Sequence, residues 1–124
     1  MALDLPTLEP SQPPILTRLA IFADPWPGSV TVWRSVDRAS YQAIALAAAS
    51  ATIGETLDGL PPATSGHWDH GHVIRVRLYG GALTSLSDAR VLNGANAAAV
   101  RNADGVWEVL QFASAVLVDD RTYL

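Results

Sequence analysis

Residues 95–124, ANAAAVRNADGVWEVLQFASAVLVDDRTYL, decide the fold. Apolar, β-prone runs alternate there with turn chemistry at Asn102-Ala103-Asp104-Gly105 and at Asp119-Asp120. That is the pattern of three strands joined by two tight turns. The strands are expected over residues 96–101, 106–118 and 121–124. In the middle one the alternation slips near residues 112–115, which predicts a bulge or bend. A pattern that stops at Tyr123-Leu124 inside a strand predicts one domain of something longer.

The same reading extends toward the N-terminus. Over residues 73–79, Ile74, Val76 and Leu78 share one face, while Arg75 and Arg77 share the other with Val73 and Tyr79, so a strand is expected, ended by Gly80-Gly81. Residues 85–93 predict a short helix, with Ser87 as cap, Asp88 in the first turn and Gly94 at the stop. Residues 29–35 alternate as a strand should, residues 16–22 form a first strand, and Asp24-Pro25-Trp26-Pro27-Gly28 is a rigid turn. Residues 41–52 (YQAIALAAASAT) leave two readings open: alanine density favours helix, whereas the missing polar face and the strands on either side favour strand. Gly54 breaks the pattern, Asp58 to Pro62 is a turn region, and residues 63–71 form a polar loop.

Residues 1–14 hold four of the eight prolines and predict an extended linker or arm. Residues 15–124 then form a single β domain, a length that suits one core. Short strands punctuated by turns predict an all-β fold with one short helix, as a small antiparallel sandwich or partly open barrel. Hydrophobic content is 49% and charged content only 16%, which excludes disorder over most of the length. Much of the apolar content is alanine, so packing must come from few large side chains. The candidates are Leu16, Phe22, Trp33, Ile44, Leu46, Ile74, Val76, Leu78, Trp107, Val109, Leu110, Phe112 and Leu117.

A net charge of −4 leaves no basic excess to displace counterions, which argues against nucleic acid as a partner. With no cysteine there is no disulfide, zinc-thiolate or thiol chemistry. No apolar run approaches the ~18 residues of a membrane span.

The densest polar cluster is His67-Trp68-Asp69-His70-Gly71-His72. Its imidazoles, His67, His70 and His72, are candidate metal ligands, to be completed by a carboxylate such as Asp24, Asp88, Asp119 or Asp120. The competing account is a solvent-facing loop. Trp26 and Trp68 lie in turn regions and, with Asp69, are candidates for stacking and hydrogen bonding to sugar; Trp33 and Trp107 sit in strands and are assigned to packing. Glycoside hydrolysis would need two opposed carboxylates. The glutamates number three, Glu9, Glu55 and Glu108, and none stands in a motif. No nucleophile elbow or phosphate-cradling glycine loop occurs. The expectation is a chain with no enzymatic activity and no cofactor.

The closing run also carries a resemblance. Gly94-Ala95-Asn96, then Trp107-Glu108, Gln111-Phe112 and Ala115 before a hairpin, resembles a stretch near the C-terminus of large tail-tip, or baseplate hub, proteins of gene transfer agents and related long-tailed phages. ADPWPGSVTVWRS at residues 23–35, and Ser65 to Asp69 running into residues 73–81, resemble the same family. The similarity extends over residues 15–124, and residues 1–14 resemble the linker that precedes the block. The leucine-rich strand and Arg-Gly segment that usually follow the block are not present here. Some relatives carry a glycoside-hydrolase-like barrel upstream; nothing in this chain matches it, so that activity is not carried over.

The resemblance implies a structural module of a tail-tip hub, a virion or gene-transfer-agent particle component made in the bacterial cytoplasm. Its partners would be other tail-tip proteins or other domains of the hub, with self-association as a further mode. It also implies a structural role for Trp68 and Asp69. The alternative is a carbohydrate-binding module that touches host surface polysaccharide through Trp26, Trp68 and Asp69.

Overall fold

The computed structural model describes Ala2–Leu3 and residues 18–124. The chain is nearly all β, with one short helix, and every strand pairing is antiparallel. The order is β1 (Ala2–Leu3), β2 (Arg18–Leu19), β3 (Val30–Arg34), β4 (Gln42–Ala47), β5 (Ile53–Thr56), β6 (Val76–Gly80), α1 (Asp88–Leu92), β7 (Ala97–Arg101), β8 (Trp107–Gln111), β9 (Leu117–Asp119) and β10 (Thr122–Tyr123). The sheets do not close into a barrel: β5-β6-β10-β9 form one of four strands, and β1-β2, β3-β4 and β7-β8 form pairs. Apart from Ala2–Leu3, the arm expected over residues 1–14 lies outside the described residues, as does Leu16. Of the strand expected over residues 16–22, Arg18–Leu19 is present.

Strand β6 is the centre of the larger sheet, and its alternation comes from its sequence. Val76 and Leu78 turn inward while Arg77 and Tyr79 turn outward. Leu78 is 5% exposed; the only other buried residue among those described is Val91 of α1, at 2%. Gly54 sits within β5, where the register to β6 shifts between Ile53 and Gly54. A Cβ on Gly54 would stand 2.2 Å from the Arg77 carbonyl oxygen. The glycine expected to break the pattern is therefore what lets β5 reach β6.

On the outward face Glu55 stands opposite Arg77 and accepts from its guanidinium Nε and Nη2. Asp58 accepts from Arg75 Nε at 2.8 Å and Nη2 at 2.7 Å. Hydrogen bonding from the two arginines holds both carboxyls below their ordinary range. Strand β6 begins at Val76 rather than at residue 73, although Leu57 N–H still reaches the Arg75 carbonyl at 2.8 Å.

The alanine-rich stretch is a strand. Gln42–Ala47 pairs with Val30–Arg34, with a bulge where β3 passes from Val32 to Trp33. The intervening loop is held by Asp37, which accepts from Ser35 Oγ, Ala39 N–H and both donors of Ser40. Those donors, Ser40 foremost, hold its carboxyl far below the usual range.

The strand expected over residues 106–118 is two strands. At its slip, the backbone of Ala113 and Ala115 is claimed by the segment before the helix. Leu86 N–H donates to Ala113 O at 2.8 Å, Ser85 Oγ to Ala115 O at 3.1 Å, and Ala115 N–H to Ser85 Oγ at 2.9 Å. The chain thereby leaves the β7-β8 hairpin and joins the four-stranded sheet as β9. Helix α1 is confined to Asp88–Leu92; Ser87 occupies its N-cap position without a side-chain capping bond. At the other end Gly94 has φ +92°, as a helix stop requires. Gln111 Nε2 also donates to Val91 O at 2.6 Å and Ala95 O at 3.0 Å, tying the helix end to β8.

Several expected core residues are instead exposed. Trp33 is 58%, Leu46 67% and Leu117 60% exposed, and Ile44 is exposed as well. The reason is layering. The β3-β4 pair has only two strands, and the face on which Trp33 opposes Ala43 and Thr31 opposes Leu46 has no covering layer among the described residues. Leu117 lies on the outer edge strand β9. Phe22, Ile74, Val76, Trp107, Val109, Leu110 and Phe112 are half-buried, as their inward assignment predicts.

Two predictions follow from these contacts. Gly54→Ala forces a methyl onto the β6 backbone and is expected to destabilise by roughly 1–3 kcal/mol, read as a lowered urea midpoint; an unchanged midpoint would refute the close approach. The depressed carboxyls of Asp37, Glu55 and Asp58 give stability that is complete above their ordinary range and is lost as pH falls through their lowered values. Stability should therefore fall in acid, modestly because these groups are exposed. Asp37→Asn should lower stability at neutral pH and flatten the acid decline in urea titrations.

Candidate functional site

Among the described residues no group of three or more His, Asp or Glu side chains is placed to hold an ion. The histidine loop folds on itself around Asp69. Its Oδ1 accepts from Gly71 N–H at 3.0 Å and His72 N–H at 3.2 Å, and its Oδ2 lies 2.6 Å from His72 Nδ1. These bonds, that of His72 first, hold the Asp69 carboxyl below its ordinary value. The Trp68 and His70 rings stack at 5.9 Å between centroids and 17° between planes. So Trp68 and Asp69 are engaged within their own loop, which stays exposed throughout residues 61–73.

Trp26 is elsewhere. Its turn includes a cis Asp24-Pro25 peptide and Gly28 at φ +99°, and its indole N–H donates to Gly28 O at 2.9 Å. With Asp24, Ser50, Tyr79 and Arg121 it borders an open hollow of about 260 Å³ whose wall includes Phe22. Trp68 and Asp69 are not among the residues lining it. Trp26 thus borders this hollow without Trp68. Missed from sequence were Tyr79, Ser50 and Arg121, which topology brings together from distant segments. The doublet Gly80-Gly81 was the available signal. A Cβ at Gly80 would stand 2.3 Å from Phe22 Cε2, and one at Gly81, where φ is +85°, 2.3 Å from Thr52 Oγ1.

Glu55 is paired with Arg77, Glu108 accepts from Asn102 Nδ2 at 2.7 Å, and Glu9 lies outside the described residues.

The larger feature is apolar. Seventeen large hydrophobic side chains are exposed against two buried apolar ones among the described residues. Single exposed leucines mean little, but so few buried partners means that burial is left undone. Two of the places where such side chains are exposed stand out. One is the uncovered face of β3-β4, beside a trough of about 360 Å³ lined by Leu19, Ile21, Val32, Leu46 and four alanines. The other is the edge at β9, where Val116, Leu117 and Val118 are exposed in succession beside Leu124. No helix among the described residues is long and apolar enough to cross a membrane.

Comparison with known proteins places the larger sheet, α1 and the β7-β8 hairpin in a described family. Residues 51–124, more than half of the chain, match the model of the Rcc01698-like, C-terminal family. The match covers part of residues 15–124, over which the gene-transfer-agent and phage resemblance is expected, and agrees with its gene-transfer-agent side. No curated protein and no solved structure matches the chain. With β5 through β10 and the helix between them all inside the matched region, the chain belongs to the Rcc01698-like, C-terminal family.

Proposed function

We propose that the chain is a structural module of a phage-like tail tip or baseplate hub, acting in particle assembly and at the host-facing end, with no catalysis of its own. The family's namesake is a gene-transfer-agent-associated protein of Rhodobacter, which supports the particle context. The observation that carries the reading is the imbalance, among the described residues, between two buried apolar residues and the exposed faces of β3-β4 and β9. Apolar surface of this kind is stabilised by contact with neighbours. A sheet edge such as β9 also offers unpaired backbone groups to an incoming strand. The partners are then other tail-tip proteins or other domains of the same hub, and the location is the tail tip of a particle made in the bacterial cytoplasm.

Trp33 and Leu46 separate assembly from folding, because both are exposed on the uncovered face. In a producing bacterium, Trp33→Ser with Leu46→Ser is expected to leave the melting temperature of the purified chain unchanged. Its recovery in purified particles should fall by about tenfold or more, the loss that follows removal of a buried aromatic anchor. Recovery equal to the parent chain, or labelled chain found away from the tail tip by electron microscopy, would overturn the reading.

A further inference from the structure

We infer that the β3-β4 hairpin of one copy of the chain docks on the β9 edge of a second copy. The inference rests on the assembly reading above and names the partner of its two surfaces. Both surfaces are apolar and exposed. The hairpin presents Trp33, Ile44 and Leu46, with Val36 and Tyr41 in its loop. The edge presents Val116, Leu117 and Val118 in succession, on a strand paired on one side only, to β10. Apolar burial supplies the attraction, and it does not by itself choose what is buried.

Charge makes that choice. Arg75 and Arg77 are each paired with a carboxylate, whereas Arg34 and Arg38 at the hairpin's end make no ion pair among the described residues. Asp37, between them, is held by its own loop through Ser35, Ala39 and Ser40. Arg34 and Arg38 against Asp37 leave the hairpin end with a net positive charge on a chain whose net charge is −4. The β9 edge ends with the opposite sign. Asp119 and Asp120 are exposed and make no ion pair among the described residues, and Arg121 turns its Nη1 to Tyr79 O at 2.9 Å. Hairpin on hairpin brings arginines together, and edge on edge brings aspartates together. Hairpin on edge sets apolar against apolar and positive against negative, the complementarity that selects a partner. Both halves of the match are encoded in one chain, so the occupant is a second copy. Contact between unlike patches of identical chains is heterologous and passes from copy to copy.

The test is sedimentation equilibrium of the 124-residue chain over a range of concentrations, beside the single variants Arg38→Asp and Asp120→Arg. Arg38 sits at φ +61°, which aspartate tolerates, so melting temperatures should match the parent's. The parent is expected to self-associate, and less so as salt rises. Each variant alone should associate about tenfold more weakly, because its hairpin end and its edge then carry the same sign. An equimolar mixture of the two variants should regain the parent's association. There the acidic hairpin of one meets the basic edge of the other, and the unaltered hairpin meets the unaltered edge. The inference is overturned by a chain that stays monomeric at every concentration, by variants that associate as the parent does, or by a mixture no more associated than its parts. A monomeric chain whose recovery in particles still depends on Trp33 and Leu46 would overturn it while leaving the assembly role standing, with another tail protein on these faces.

Discussion

The approach of β5 to β6 at Gly54 is the constraint on which the larger sheet depends. Strand β6 is flanked by β5 on one side and β10 on the other, so it must accept hydrogen bonds along both edges. With the Arg77 carbonyl 2.2 Å from where a Cβ would stand, any other residue at position 54 would hold β5 away. The bulge at Ile53-Gly54 then turns Glu55 outward, opposite Arg77, and leaves Leu78 on the inner face as the strand's one buried side chain. The pairing, the ion pair and the inner face all follow from a missing methyl group.

A second constraint decides how the rest is attached. The segment around α1, which buries Val91, is also stitched to residues 111–115 by polar side chains. Ser85 both donates to and accepts from the Ala115 backbone, Gln111 takes two carbonyls at the helix end, and Asn96 Nδ2 reaches Thr84 O at 2.9 Å. Such bonds fix direction well and add only about 0.5–1.5 kcal/mol each. This suits a domain that places Val91 and few others out of water.

The division between what sequence revealed and what it hid follows from the range of the forces. Local chemistry was legible. Asn102 caps its own hairpin through Val106 N–H, and Gly94 ends α1. The alternation of Val76 to Tyr79 gives the inner and outer faces of β6. Non-local geometry was not. Gly54 carries no local sign that another backbone lies against it, and the break near residue 113 depends on Ser85, thirty residues away. Trp33 and Leu46 have the composition of core, and only the lack of a third layer over β3-β4 makes them surface. The hollow shows the same limit, since its charged and aromatic members come from residues 24–26, 79 and 121.

The family match divides these surfaces unevenly. The exposed edge at β9 lies wholly within residues 51–124, whereas the hollow draws Asp24, Trp26 and Ser50 from the segment before it and Tyr79 and Arg121 from within it. Backbone pairing at an edge is also indifferent to most side-chain identities, while a small polar hollow is sensitive to each one. Pairing at the edge therefore depends on the matched block alone, while the hollow depends on both segments.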